Sequence, residues 1–243
     1  MCQDCGCGDV NLVPVELQTR ILARNDSVAS HNRQHFAKRG IFSVNVMGSP
    51  GSGKTAVLEA TARAFGDASR LAALAGDLAT DNDAARLRRA GLRSLAIETG
   101  QACHLDAEMV HHELHRFDLA GVDYFFIENV GNLVCPAVYD LGQRANVVVL
   151  SVTEGEDKPL KYPTMFAGAS LVLLTKTDLL PHLPHVSVPA ILDALARVMP
   201  DPRVISIAPL SGAGVSDWID WLTMSRDAML AAIELPDSHE VLV

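Results

Sequence analysis

No stretch of this 243-residue chain is apolar for long enough to cross a membrane, although 49% of its residues are hydrophobic. A span needs about 20 consecutive apolar residues. Basic charge is also short: 20 Lys and Arg stand against 29 Asp and Glu, a formal net charge of −9. Nucleic acid calls for a basic face, so neither nucleic acid nor a membrane is expected as a partner. The start is polar and cysteine-rich, not basic then apolar, so no signal peptide is read and the cytoplasm is expected. No internal repeat or low-complexity linker divides the chain. Cysteines are few: Cys2, Cys5, Cys7, Cys103 and Cys135. In a reducing compartment they are expected as metal ligands or core residues, not disulfides. The acidic balance does not exclude a nucleotide, whose few phosphates are neutralised locally.

What is present begins with Gly48-Ser49-Pro50-Gly51-Ser52-Gly53-Lys54-Thr55, a match to G-x-x-x-x-G-K-[ST]. Glycines let the backbone turn tightly and approach phosphate oxygens, and successive N–H groups form an anion-binding concavity. Lys54 is placed to reach the β- and γ-phosphates, and the Thr55 hydroxyl to ligate Mg²⁺. The apolar run 41–47 reads as a buried strand before the loop, and 56–65 as a helix after it.

Along the rest of the chain, a helical pattern runs from about Asn11 to Arg39, interrupted by Asn25, Asp26, Asn32 and Arg33. Strands are expected near 70–75, 93–98, 123–128, 146–152, 170–175 and 203–208. Helices are expected near 82–91, 105–117, 189–199 and 215–233. This alternation predicts an α/β fold, a mostly parallel sheet with helices on both faces, and ligands beyond the carboxyl ends of its strands. The expected division is a flexible Cys-rich segment 1–10, a helical extension 11–40, a nucleotide-hydrolysing domain 41–236 and a tail 237–243.

The segment Leu171 to Asp178, LVLLTKTD, is close to the N-K-x-D that guanine-nucleotide proteins place at this distance. The Asp178 carboxylate can accept from guanine N1–H and the exocyclic amine, and the Lys176 stem can cover the base. Thr175 stands where the loop-buttressing Asn is usual. A turn at Ala208-Pro209-Leu210-Ser211-Gly212 is expected beside the base. Asp77, at one strand end, is expected to orient the attacking water or hold a metal-bound water. Glu128 opens E-N-V-G, a D-x-x-G switch with Glu for Asp, whose Gly131 N–H can reach the γ-phosphate.

Two constellations suit metals. C-x-x-C-G-C places Cys2, Cys5 and Cys7 within six residues, a soft set for Ni²⁺, Cu²⁺ or Zn²⁺; an iron–sulfur site would lack a local fourth cysteine. Cys103-His104 follows one strand, and Cys135 follows the switch, so two thiolates and an imidazole can converge. His111 and His115, four apart on an expected helix, are spaced to clamp a metal, as is His112 alone; a solvated helix face is the other reading.

Taken together, MCQDCGC, NDSVASHNRQHFAKRGIFSVNVMGSPGSGKT, GDLATDNDAARLRRAG, TGQACHLDA, FIENVGNLVCPA, GEDKPLKYPTMF and TKTDLL resemble the hydrogenase nickel-incorporation GTPases, the HypB family. The resemblance covers most of the chain in order. It implies a P-loop GTPase of the SIMIBI class that hydrolyses GTP, forms a GTP-dependent homodimer and inserts nickel into the large-subunit precursor of [NiFe] hydrogenase. It implies a tight nickel site at Cys2, Cys5 and Cys7, and a weaker nickel or zinc site at Cys103, His104 and Cys135 on the dimer interface. It also implies a zinc-containing nickel chaperone, HypA, as partner. The histidine-rich stretch of some members is absent. Urease accessory GTPases are the nearest confusable relatives, but they lack the C-x-x-C-G-C start.

Overall fold

The apolar run after Gly40 becomes the central strand of a parallel sheet. In this computed structural model, which describes residues 15–77, 81–100 and 102–234, β1 (Phe42–Met47) is buried along its whole length. Uninterrupted burial marks a strand covered on both faces. The other strands are β2 (Leu71–Asp77), β3 (Arg93–Glu98), β4 (Tyr124–Glu128), β5 (Ala145–Ser151), β6 (Leu171–Thr175) and β7 (Val204–Ile207). They pair in the order β3-β2-β4-β1-β5-β6-β7, and every pairing is parallel. All seven therefore end at the same edge of the sheet.

The helices are α1 (Val15–Ala37), α2 (Lys54–Ala64), α3 (Asn82–Arg89), α4 (Ala107–Leu114), α5 (Lys158–Lys161), α6 (Pro163–Ala167), α7 (Val188–Val198) and α8 (Val215–Glu234). Alternation along the strands assigns them to faces. Phe42, Val44 and Val46 of β1, with Tyr124 and Phe126 of β4, pack on α2, α3 and α8 through Leu58, Leu87 and Trp218. Phe125 and Ile127 point the other way, onto Phe36 of α1 and Val110 of α4. On that second face Val172 and Leu174 of β6 meet Phe166 of α6 and Ile191 of α7. Each such side chain contributes about 1.5–3 kcal/mol on burial.

Two polar residues that interrupt the stripe of α1 are docking groups. Asn25 Nδ2 donates to the Asp140 carbonyl at 2.8 Å, and its Oδ1 accepts from the Ala107 N–H at 2.9 Å. Asn32 Nδ2 donates to the carbonyls of Ala107 and Leu141 at 2.9 and 3.2 Å. Ile21, an apolar residue of the same helix, is 47% exposed. Inside the sheet, Asn129 Nδ2 donates to Asn45 Oδ1 at 3.2 Å, and Asn45 Nδ2 donates to Asn146 Oδ1 at 3.1 Å. The expected flexible segment 1–10 and tail 237–243 lie outside the described residues. So do Cys2, Cys5 and Cys7.

The candidate nucleotide and metal site

The phosphate-type loop joins β1 to α2. Lys54 and Thr55, expected before the helix, form its first turn. Gly53 caps α2 in the left-handed conformation, φ 104°, with no side-chain acceptor on the first-turn N–H groups. That arrangement suits a phosphate. At Gly48 a Cβ would fall 2.4 Å from the Val149 carbonyl, so the loop leaves β1 hard against β5. Lys54 is 8% exposed, and its ammonium donates to the Gly48 and Ser49 carbonyls at 3.3 and 3.2 Å. Burial lowers its pKa, and the carboxylates of Glu128, Asp83 and Glu154 oppose that.

Thr55 gathers an oxygen cluster. Its Oγ1 lies 2.7 Å from Glu128 Oε1 and 3.0 Å from Asp83 Oδ1. Glu128 is 2% exposed. Burial raises its carboxyl to about 7, against the Thr55 hydrogen bond and the Lys54 charge. The second oxygen, Oε2, is buried without a hydrogen-bond partner. A hydroxyl beside two carboxylates, one with an unsatisfied oxygen, is a donor set for a hard divalent cation such as Mg²⁺. Asp77 ends β2 and lines the same cleft, about 440 Å³ in volume.

Sequence reasoning missed Asp83 and Arg86, which both line this cleft. Arg86 donates through Nε and Nη2 to the two oxygens of Glu59 at 3.0 and 2.9 Å, tying α3 to α2. The signal for Asp83 was an acidic residue in the first turn of a helix that follows a strand ending in Gly-Asp.

Beyond the end of β6, Asp178 is exposed and Lys176 half-buried. Lys176 is the one non-glycine residue with positive φ, 57°, among the described residues. Thr175 performs the buttressing expected of Asn: its buried hydroxyl donates to the Ser52 carbonyl at 2.6 Å. The turn after β7 is closed by a bridge between Ala208 and Ala213.

Cys103, His104 and Cys135 come together: their ligand atoms all lie within 4.8 Å of one another. The Cys103 thiol donates to Cys135 Sγ at 3.1 Å, and His104 Nδ1 lies 3.9 Å from Cys103 Sγ. His104 stacks on Tyr139, ring centroids 4.0 Å apart. Burial lowers the His104 pKa and favours the neutral imidazole. Burial, then the Cys103 contact and charge, raises the Cys135 thiol. Two sulfurs and one imidazole form a set for Zn²⁺ or Ni²⁺ that leaves further coordination positions open. Asp106 accepts from the Met109 N–H at 2.8 Å and starts α4 just past this cluster.

Hydrogen bonds join the two ends of the site. Asn129 Oδ1 accepts from the N–H groups of Leu105 and Val130 at 3.2 and 3.0 Å, tying the Cys103 loop to the switch. Asn132 Nδ2 donates to the Cys103 carbonyl at 3.2 Å, and Asn132 also bridges Gly48 of the phosphate loop. At Gly131 a Cβ would stand 2.9 Å from the backbone of Pro50.

The family model described as "CobW/HypB/UreG, nucleotide-binding domain" matches residues 42–201. The hydrogenase maturation factor HypB of Azotobacter vinelandii is 49% identical over 218 residues, covering 90% of this chain and 72% of that protein. The structure of HypB from Helicobacter pylori in complex with nickel superposes with a TM-score of 0.80 at 36% identity, covering 84% of this chain and 96% of that one. HypB from Archaeoglobus fulgidus gives 0.77 at 38% identity, covering 84% of this chain and 100% of that one.

Proposed function

As the chain belongs to the CobW/HypB/UreG family, and within it to the HypB hydrogenase maturation factors, we propose that it is a GTP-hydrolysing nickel metallochaperone that couples GTP state to dimerisation and to metal transfer. One observation carries the reading. Residues 129–135 touch the phosphate loop through Gly131 and Asn132 and carry Cys135 at their far end.

In the reaction, water attacks the γ-phosphorus, the bond to the β–γ bridging oxygen breaks, and GDP and phosphate leave. Lys54 neutralises the β- and γ-phosphates, and loop N–H groups cradle them. Thr55, Glu128 and Asp83 would hold Mg²⁺, with Asp77 on a water bound to it, and the chemistry so supplied would be neutralisation of phosphate charge. The Gly131 N–H meets the γ-phosphate. Asp178 accepts from guanine, and Lys176 covers the base.

Nickel, or zinc, is cargo for Cys103, His104 and Cys135, and for Cys2, Cys5 and Cys7 ahead of the domain. The Helicobacter pylori HypB structure is a complex with nickel, which supports nickel as the cargo here. Val134 and Val138, 58% and 51% exposed, flank Cys135 and give a second copy an apolar surface. The partners in this reading are a HypA-like zinc-containing nickel chaperone and the hydrogenase large-subunit precursor in the cytoplasm. Among the described residues no helix is long and apolar enough to cross a membrane.

The test is titration of Ni²⁺ and Zn²⁺ into GDP-bound and GTP-analogue-bound protein, with Cys135→Ala as control and light scattering for assembly. Metal affinity at this site is expected to differ about 5- to 150-fold between the two forms, and bound metal to shift GTP affinity relative to GDP by the same factor. Equal affinities, with Cys135 confirmed as a ligand, would leave the nucleotide without a thermodynamic hold on the metal.

A further inference from the structure

Four of the chain's nine histidines meet where the carboxyl-terminal ends of α1 and α4 converge. His31 and His35 are four apart on α1, and His111 and His115 are four apart at the end of α4. Spacing of i, i+4 puts two imidazoles on one helix face, the arrangement helical metal sites use. The rings also face each other across the helices. His31 and His111 have centroids 5.0 Å apart, and His35 and His115 6.3 Å apart. His111 and His115, centroids 4.7 Å apart, bring their Nε2 atoms to 3.2 Å. Metal–nitrogen bonds of ~2.0–2.1 Å place neighbouring ligand nitrogens roughly 2.9–3.4 Å apart at octahedral or tetrahedral angles.

The tautomer of His111 is fixed by its neighbour. Asn32 spends both amide hydrogens on the carbonyls of Ala107 and Leu141, so its Oδ1 is an acceptor. His111 Nδ1 lies 3.0 Å from that oxygen and must carry the proton. The lone pair of the neutral ring is then on Nε2, toward His115. An imidazole held by its remote N–H is the outer-shell pattern of metal-ligating histidines. The partial negative charge of two helix carboxyl ends also favours a cation here. His31 and His115 are exposed, and His35 and His111 half-buried, so the cluster is open to solvent.

We infer that His111 and His115, completed by His31 and with His35 beside them, form a second metal site among the described residues, for a divalent transition cation of borderline softness, Ni²⁺ or Zn²⁺. Rotation about the broad χ2 torsion turns the His31 ring nitrogens in place, beside a His111 ring whose centroid is 5.0 Å away. The cluster lies at the opposite end of α4 from Cys103 and His104, so it takes metal independently of them. It requires neither nucleotide nor hydrogenase maturation, and so goes beyond the proposed function.

The test removes the thiols first. In the full chain Cys2, Cys5, Cys7, Cys103 and Cys135 are replaced by Ser, and Ni²⁺ or Zn²⁺ is titrated in competition with a chromophoric chelator. Circular dichroism and melting checks each variant. One equivalent per chain is expected, with excess Mg²⁺ unable to compete. His115→Gln, which leaves the His111–Asn32 bond intact, and His31→Gln should each weaken binding at least ~10-fold. His112→Gln is the control: its ring pairs with Glu113 instead, and affinity should not change. No bound equivalent, parental affinity in both His115→Gln and His31→Gln, or an equal loss in His112→Gln would overturn the assignment.

Discussion

Gly131 lies so close to Pro50 that a Cβ on it would stand 2.9 Å from the Pro50 nitrogen and Cα. The demand for glycine here is spatial. Unlike Gly51 and Gly53, Gly131 has no positive φ. The turn at 128–131 therefore rests directly on the backbone and ring of Pro50, with no side chain of its own between them.

Gly131→Ala must push the two loops apart, because the obstructing atoms are the Pro50 backbone and its rigid ring. The expected outcome is at least a ~10-fold fall in single-turnover GTP hydrolysis, on the scale of a misplaced catalytic geometry. The difference in metal affinity between GTP-analogue and GDP forms should shrink with it. Parental turnover in this variant would show that the contact constrains nothing.

Thr175→Val keeps the shape but removes the hydroxyl that donates to Ser52. The buried Ser52 carbonyl loses this partner, a cost of about 1–3 kcal/mol. Chemical denaturation should read that loss, and calorimetry should show weaker GTP and GDP binding together. Thr175→Ser retains the donor and should stay near the parent. A valine variant as stable as the parent would rule out the buttress.

Glu128 links pH to stability and, in the proposed mechanism, to magnesium. Its folded carboxyl sits at about 7, above the ordinary 4.5. The folded state therefore binds the proton more tightly than the unfolded chain, and this group's contribution is lost as pH rises from 4.5 through 7. A shift of this size corresponds to roughly 3 kcal/mol. Glu128→Gln should accordingly raise the melting temperature without nucleotide more at about pH 8 than at about pH 5. The same change should weaken Mg²⁺-dependent GTP binding and flatten its rise between about pH 6 and 8. A melting gain independent of pH would contradict the buried-charge origin.

The sheet and the phosphate loop were legible because strand–loop–helix alternation and glycine spacing are local signals. Cys103, His104 and Cys135 could be brought together from topology alone, since parallel strands deliver successive loops to one edge. Asp83 was not legible: its importance comes from the fold that brings it from 28 residues away in sequence to 3.0 Å from Thr55 in space. Asn25 and Asn32 read as breaks in an apolar stripe because periodicity ranks residue types and cannot see partner carbonyls. The helices at 158–161 and 163–167 are too short for a 3.6-residue period to register. The opposition of His31 and His35 to His111 and His115 needed the packing of two helices about 80 residues apart.

The amide relay from Asn129 through Asn45 to Asn146 runs head to tail, each Nδ2 donating to the next Oδ1. Its direction is set at both ends, by Leu105 and Val130 giving their N–H groups to Asn129 and by Gln143 giving its amide to Asn146. No member can turn over alone without facing donor to donor and acceptor to acceptor. A change at one of the three positions is therefore felt at the others. An apolar residue at Asn45 strands the Asn129 Nδ2 and takes from Asn146 Oδ1 one of its two donors, leaving Gln143, so a route from this relay to a dry sheet interior passes through an intermediate with an unpaired buried amide.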